Sequence, residues 1–254
     1  MPLITLAPGL TLRDIERPLK LKDFKLIAFD MDSTLINIEC IDEIADAVGR
    51  KAQVAAITEA AMRGDISDFK DSLRQRVALL KGVTLADIDR VYQERLQLSP
   101  GAAELVTACK ANGLKVLLVS GGFTLISERI RERLGIDFMR ANQLELENGA
   151  LTGGLVRQAW GDICDGEEKR RTVQALCAQL GIEPQQAIAV GDGANDIPMM
   201  SVVGLSVAYH AKPVVREVAN VCINQGGLER LLDVFDTDDS LKSEDSSKGG
   251  EASL

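Results

Sequence analysis

The sequence predicts an α/β fold, a parallel sheet covered by helices, with an inserted helical module. Three observations lead there. Short apolar runs recur at Leu26–Phe29, Leu114–Val119, Ala187–Val190, Leu205–Tyr209 and Val221–Ile223. Helix-like amphipathic segments separate most of them, the alternation produced by parallel strands with crossover helices. Between the first two runs lie about eighty residues of helical pattern, against the ~10–15 of one crossover helix, so the excess reads as an insertion.

Taken in order, residues 1–23 form an N-terminal extension. Its start is mildly apolar, but Pro2, Pro8 and Gly9 interrupt it and no basic segment precedes it, so it does not read as a signal peptide. The core is expected over 24–36 and 99–235, with the helical module over 37–98. Within the module, Ser67-Asp68-Phe69 starts a helix whose Phe69, Leu73, Val77 and Leu80 share one face, and Arg76 falls on that face. Ser99-Pro100-Gly101 reads as the cap and first turn of the helix that returns to the core. Asn148-Gly149 between short β-like segments signals a hairpin, a small β excursion from the core. Residues 236–254 carry six acids against two lysines and almost nothing to bury, which predicts a disordered acidic tail.

With 46% hydrophobic and 26% charged residues, the 254-residue chain has the makeup of a globular protein. A net charge of −9 opposes a nucleic-acid partner, which calls for a basic face. No apolar run approaches the ~20 residues of a membrane helix. Five cysteines without a C-x-x-C pair are expected to be reduced, mostly buried thiols in a cytoplasmic protein. The single histidine, His210, leaves little room for histidine-based triads or zinc sites. Nothing in the sequence indicates an oligomeric state.

Four short stretches carry the chemistry. Asp30-Met31-Asp32 ends the first predicted strand, and residues two apart on a strand face the same way, so both carboxylates reach one small volume. Two acids that close need a cation or a shared proton. The same spacing occurs at Asp87/Asp89 and Asp236/Asp238, in polar helix-like or tail sequence, so context singles out the first pair. Ser120-Gly121-Gly122 follows the second strand and precedes a helix from about Thr124; glycines there let backbone N–H groups approach an anion and the hydroxyl donate to a phosphoryl oxygen, although a plain tight turn fits as well. Lys169 lies in Asp165-Gly-Glu-Glu-Lys-Arg-Arg171, where Asp165 and Glu168 suggest a capping box. Three cations in a first helical turn oppose the helix dipole, so either one has a use or the segment is a solvated basic corner.

Gly191-Asp192-Gly193-Ala194-Asn195-Asp196 starts like a dinucleotide fingerprint, but the acid at its sixth position would repel a pyrophosphate. A metal accounts for the acids better. Asp192 would complete an oxygen shell for Mg²⁺ with Asp30 and the backbone carbonyl of Asp32, while Asp196 and Asn195 support it from the next turn.

In this order the four stretches closely resemble the haloacid dehalogenase superfamily of aspartate-nucleophile phosphohydrolases, over about residues 24–233. Phe29–Leu35, Ile41-Asp42-Glu43, Ser72–Val77, Val119–Phe123 and Gly191–Asp196 narrow the resemblance to its branch acting on O-phospho-L-serine, the last step of serine biosynthesis. It implies a Rossmann-like core in which Asp30 is the nucleophile and Asp32 the proton donor and then base, with Lys169 and Ser120 catalytic. It implies Mg²⁺ held by Asp30, the Asp32 carbonyl and Asp192, with Asp196 behind them. Ser120, Gly121, Lys169 and Asn195 would bind the phosphoryl group. The module would be a lid, where Arg76 meets the substrate carboxylate and Glu39 its ammonium; taken without the resemblance, Arg76 pairs with a module acid or snorkels, Glu39 reads as a solvated helix residue, and Phe69 and Met62, which could line the lid, read more safely as core. The alternative is a phosphatase or phosphotransferase acting on another small phosphorylated metabolite. A silent binding protein has no physical need for Asp30, Asp32, Lys169 and Asp192 together.

Overall fold

The computed structural model describes residues 3–236 apart from 17, 64 and 67. The elements run β1 (Ile4–Ala7), β2 (Leu10–Leu12), β3 (Leu26–Phe29), α1 (Cys40–Ala47), α2 (Lys51–Arg63), α3 (Phe69–Ala78), α4 (Leu85–Glu94), α5 (Ala102–Ala111) and β4 (Lys115–Phe123). After these come α6 (Thr124–Leu134), β5 (Phe138–Glu147), β6 (Ala150–Val156), α7 (Gly166–Leu180), β7 (Ala187–Gly191), α8 (Ile197–Met200), β8 (Leu205–Tyr209), α9 (Pro213–Val218) and β9 (Val221–Ile223). Among the described residues they form a nine-stranded sheet in the order β1-β2-β9-β8-β7-β3-β4-β5-β6. The six strands from β9 to β5 are parallel, the α/β class that the sequence predicts.

β3 lies at the centre because both its faces are apolar. Ile27 and Phe29 join one hydrophobic cluster, Leu26 and Ala28 the other, as alternation on a strand covered on both sides requires. Its register sets the site: Phe29 pairs with Leu118 on β4 and with Val190 on β7. Asp30, Ser120 and Asp192 therefore leave three neighbouring strands at the same edge, where α/β sheets bind ligands.

Four differences from the sequence reading are physical. The N-terminal extension is folded: β1 and β2 form a hairpin that pairs antiparallel with β9, and Leu10 and Leu12 are buried. It covers what would otherwise be an open sheet edge. The hairpin expected at Asn148-Gly149 is present, and because β5 pairs with β4 before turning into β6 it extends one end of the main sheet. Pro100 and Gly101 precede α5 instead of forming its first turn, because Gly101 takes a φ of 74° that a first turn excludes. Asp236, assigned to the tail, donates its N–H to the Leu19 carbonyl and accepts the Leu19 N–H on its side chain. The remainder of the proposed tail, 237–254, lies outside the described residues.

Helices α1 to α4 are joined to the rest through paired connectors. Ile36 bridges Leu98, Asn37 N–H donates to the Gln97 carbonyl and Ser99 N–H to that of Leu35. At the far end, Leu151 N–H donates to the Val83 carbonyl and Gly82 N–H to that of Leu151, fastening the helical segment to the edge strand β6.

Candidate active site

Asp30 sits immediately after β3, its N–H donating to the Val190 carbonyl at 3.0 Å. Its Oδ1 accepts the Met31 N–H at 2.7 Å and lies 2.7 Å from the Lys169 Nζ. Oδ2 has no hydrogen-bond partner among the described residues. The carboxylate is thereby oriented by one oxygen and offers the other. Burial and the neighbouring Asp196 charge raise the Asp30 carboxyl above the ordinary range, and Lys169 opposes them.

Lys169 has 0% exposure and bridges two acids, standing 2.7 Å from Asp196 as well. A buried ammonium would ordinarily lose its proton; here the two carboxylates outweigh desolvation and raise its pKa. The helix-start reading holds in part. Asp165 caps α7 by accepting the Glu168 N–H at 2.8 Å, but Glu168 is no capping-box partner, because its carboxylate pairs with Arg140 and Arg171. Arg170 pairs with Glu167, so the two arginines are locally satisfied and only Lys169 turns inward.

Asp196 is wholly buried and spent on the protein: Oδ1 accepts from Lys169, and Oδ2 accepts the N–H groups of Asp192 and Gly193, each at 3.1 Å. A β-carbon on Gly191 would lie 2.3 Å from its Oδ2, which explains the glycine. Asp196 thus holds the loop that carries Asp192. Asp192 accepts a 3.3 Å hydrogen bond from Thr34, and burial with the charges of Asp196 and Glu39 pushes its carboxyl up to about 6.

Ligand oxygens of Asp30, Asp192 and Asp196 lie within 4.8 Å of one another, a set of hard donors of the kind divalent cations such as Mg²⁺ take. Asp196 is already committed to Lys169 and two N–H groups, leaving Asp30 and Asp192 as the carboxylates that fit an ion.

Asp32 lies in the turn after β3, where Ser33 takes a φ of 56° and Ile36 N–H donates to the Met31 carbonyl. Its Oδ1 accepts the Cys40 thiol at 3.0 Å and its Oδ2 the Cys40 N–H at 3.2 Å. Burial first, then the nearby Glu39 charge, raises its carboxyl to about 7. Ser120 and its glycines are extended strand, the end of β4, and not a turn at a helix start. The Ser120 hydroxyl accepts the Gly122 N–H at 2.8 Å, which leaves its own proton to give. A β-carbon on Gly122 would lie 2.8 Å from Met31 Cε, 3.0 Å from Ser120 Oγ and 3.4 Å from Asp32 Oδ2, so Ser120 and Asp32 both border the space beside this glycine. Gly121 is held by Asn142, which donates to its carbonyl and accepts the Cys164 N–H.

The residues of the helical segment are less tightly placed. Glu39 is exposed at the start of α1 and accepts from Ser33 at 2.7 Å. Arg76 is half-buried on α3; its Nε donates to the Ser72 carbonyl at 3.3 Å, and it makes no ion pair among the described residues. Burial lowers its pKa, opposed by Asp42 and Glu39. Phe69, read as core, is 38% exposed instead, with its ring edge over Gly121. Asn195 is placed next to Gly193 and makes no side-chain hydrogen bond among the described residues. Cys40, Thr34 and Asn142 escaped the sequence reading. A signal existed only for Thr34, which lies two residues beyond Asp32 in the same turn.

The pattern of the haloacid dehalogenase-like hydrolases matches residues 27–201. The chain is 69% identical over 230 residues to the phosphoserine phosphatase of Albidiferax ferrireducens, covering 91% of this chain and 97% of the relative. It is 69% identical over 229 residues to that of a Polaromonas species, covering 90% and 97%. Among solved structures it is similar to a phospho-aspartyl intermediate analogue of phosphoserine phosphatase, at 38% identity and a TM-score of 0.76, covering 84% of this chain and 99% of the other.

Proposed function

The chain belongs to the haloacid dehalogenase-like hydrolase family, and from that premise we propose that it hydrolyses O-phospho-L-serine to L-serine and phosphate, the last step of serine biosynthesis, through an aspartyl-phosphate at Asp30. One observation carries the chemistry: a carboxylate with one unbonded oxygen, fixed by a buried lysine, stands across from a second carboxyl raised to about 7. The first is suited to attack and the second to give up a proton near neutral pH.

In the first half-reaction an Asp30 oxygen attacks phosphorus, the P–O bond to serine breaks, and the Asp32 proton passes to the departing alkoxide. In the second, ionised Asp32 takes a proton from water as its oxygen attacks phosphorus, and Asp30 is released with phosphate. Lys169 and the Ser120 hydroxyl offset charge on the phosphoryl oxygens. Asp30, the Asp32 carbonyl and Asp192 would hold Mg²⁺, which supplies positive charge to the phosphoryl oxygens when bound. Asp196 keeps Asp192 and Lys169 in place, and Gly121 and Asn195 line the phosphoryl side.

The helical segment, 37–98, is the cap that selects substrate. Arg76, half-buried without a carboxylate partner, is suited to the substrate α-carboxylate, and Glu39 to its ammonium. Phe69 over Gly121 helps to exclude water. The lack, among the described residues, of any helix long and apolar enough to cross a membrane, and five free buried thiols, fit a cytoplasmic enzyme with a small-molecule substrate.

Phosphate release should be measured on phosphoserine, phosphothreonine, phosphoethanolamine and sugar phosphates, with and without Mg²⁺. Preference for phosphoserine that requires the metal is expected. A sugar phosphate turned over faster would replace this substrate by another metabolite.

A further inference from the structure

We propose that Cys40 is a positioning residue for the acid/base group, its thiol and its backbone N–H together fixing the Asp32 carboxyl and stabilising the carboxylate left when that group gives up its proton. This rests on the proposed phosphatase reading and deepens it.

Both contacts go to one carboxyl group, one on each oxygen: Sγ to Oδ1 at 3.0 Å and the amide to Oδ2 at 3.2 Å. The two donors belong to the same residue at the start of α1, where the helix's own N–H groups also favour negative charge. Cys40 has 0% exposure, so in the intact protein the thiol, and not solvent, contacts that side of the carboxyl. Gly122 of β4 also borders the carboxyl, since a β-carbon there would lie 3.4 Å from Asp32 Oδ2, in ordinary contact with it. The carboxyl is thus confined between α1 and β4. Burial and the adjacent Asp32 keep the thiol protonated, hence a donor.

The consequence follows from the proton balance. While Asp32 holds its proton, the thiol and amide are ordinary hydrogen bonds to a neutral group. When that proton moves to the serine alkoxide, Asp32 becomes a carboxylate and both bonds become charge-assisted, hence stronger. An interaction that strengthens during proton transfer raises kcat without tightening substrate binding. It contributes nothing where the leaving group needs no proton.

Three variants separate the donor from the packing. Cys40→Ala and Cys40→Val both remove the donor, the second keeping the volume; Cys40→Ser keeps a hydroxyl donor. All keep the backbone N–H. With phosphoserine and Mg²⁺, kcat is expected to fall about 5- to 20-fold in the alanine and valine variants, with KM changed less than about 2-fold, and to recover in the serine variant. With 4-nitrophenyl phosphate, whose leaving group departs as a stable anion, all four proteins should phosphorylate at equal single-turnover rates. Equal losses on both esters, or a serine variant as slow as alanine, would make Cys40 a packing residue and overturn the proposal. If one apolar variant fails to fold, the other paired with serine still decides. A wild-type enzyme inactive on phosphoserine would instead defeat the proposed function itself.

Discussion

The strand ends and the helical segment above them hold their charged groups in opposite ways. At the strand ends Lys169 and Asp196 have 0% exposure and the buried groups are tied together: Asp30 to Lys169, Lys169 to Asp196, Asp196 to two backbone N–H groups. In the helical segment Glu39 is exposed and Arg76 has only a weak hydrogen bond to its own helix. On the proposed reading, the groups that would act on any phosphate ester are preorganised, at a desolvation cost that mutual pairing offsets. Those that would recognise one substrate are left with bonding capacity for that substrate to complete. Reactivity and selectivity should therefore respond to different mutations.

Asp30→Asn tests the strand-end half most severely. Turnover should fall by at least ~10⁴-fold on every ester, with folding unchanged by circular dichroism; residual activity near wild type would move the nucleophile elsewhere. Lys169→Met should cost about 10²–10³-fold in kcat, again for all esters, and about 3 kcal/mol in urea unfolding, because two buried acids lose their shared cation. A variant as stable as wild type would show that the acids shed their charge freely. Arg76→Ala should reduce kcat/KM about 30-fold or more for phosphoserine and less than about 3-fold for phosphoethanolamine, which has no carboxylate. Equal losses would erase the division between the regions.

The smallest effect concerns pH. Asp192 has a folded pKa of about 6 against an ordinary 3.8, so in metal-free protein its contribution is neutral below 3.8, turns unfavourable as pH rises from 3.8 and is fully unfavourable above about 6. Asp192→Asn should therefore raise the Tm of metal-free protein by about 2–5 °C at pH 7.5, with no gain at pH 3.5. Excess Mg²⁺ should reverse the order, and a Tm gain that persists with Mg²⁺ would remove Asp192 from the metal site.

How much of this was legible follows the same division. The strands carry their own signal, since β3, β8 and β9 are short runs, apolar except for Ser206, whose bounds equal those read from the sequence. Asp30, Asp32, Ser120 and Asp192 stood out because each follows such a run, and Lys169 because a cation in the first turn of a helix opposes its dipole. Cys40 and Asn142 were invisible. A buried cysteine looks like a small hydrophobe, and Asn142 matters only because β5 lies beside the end of β4. Phe69 was misread as core because helical periodicity counts faces without knowing which of them meets a glycine strand. The N-terminal hairpin gave little warning, as strand pairing with β9 spans almost the whole chain.

The central claim is that Asp30 becomes covalently phosphorylated. Enzyme mixed with phosphoserine and Mg²⁺, quenched in acid within the first turnover and digested, should yield the peptide bearing Asp30 heavier by one phosphoryl group. The adduct should be absent from Asp30→Asn and, if Asp32 drives its breakdown, should accumulate with 4-nitrophenyl phosphate in Asp32→Asn. An active wild-type enzyme with no such adduct, or one phosphorylated at Asp32, Ser120 or Asp192 instead, would contradict the account.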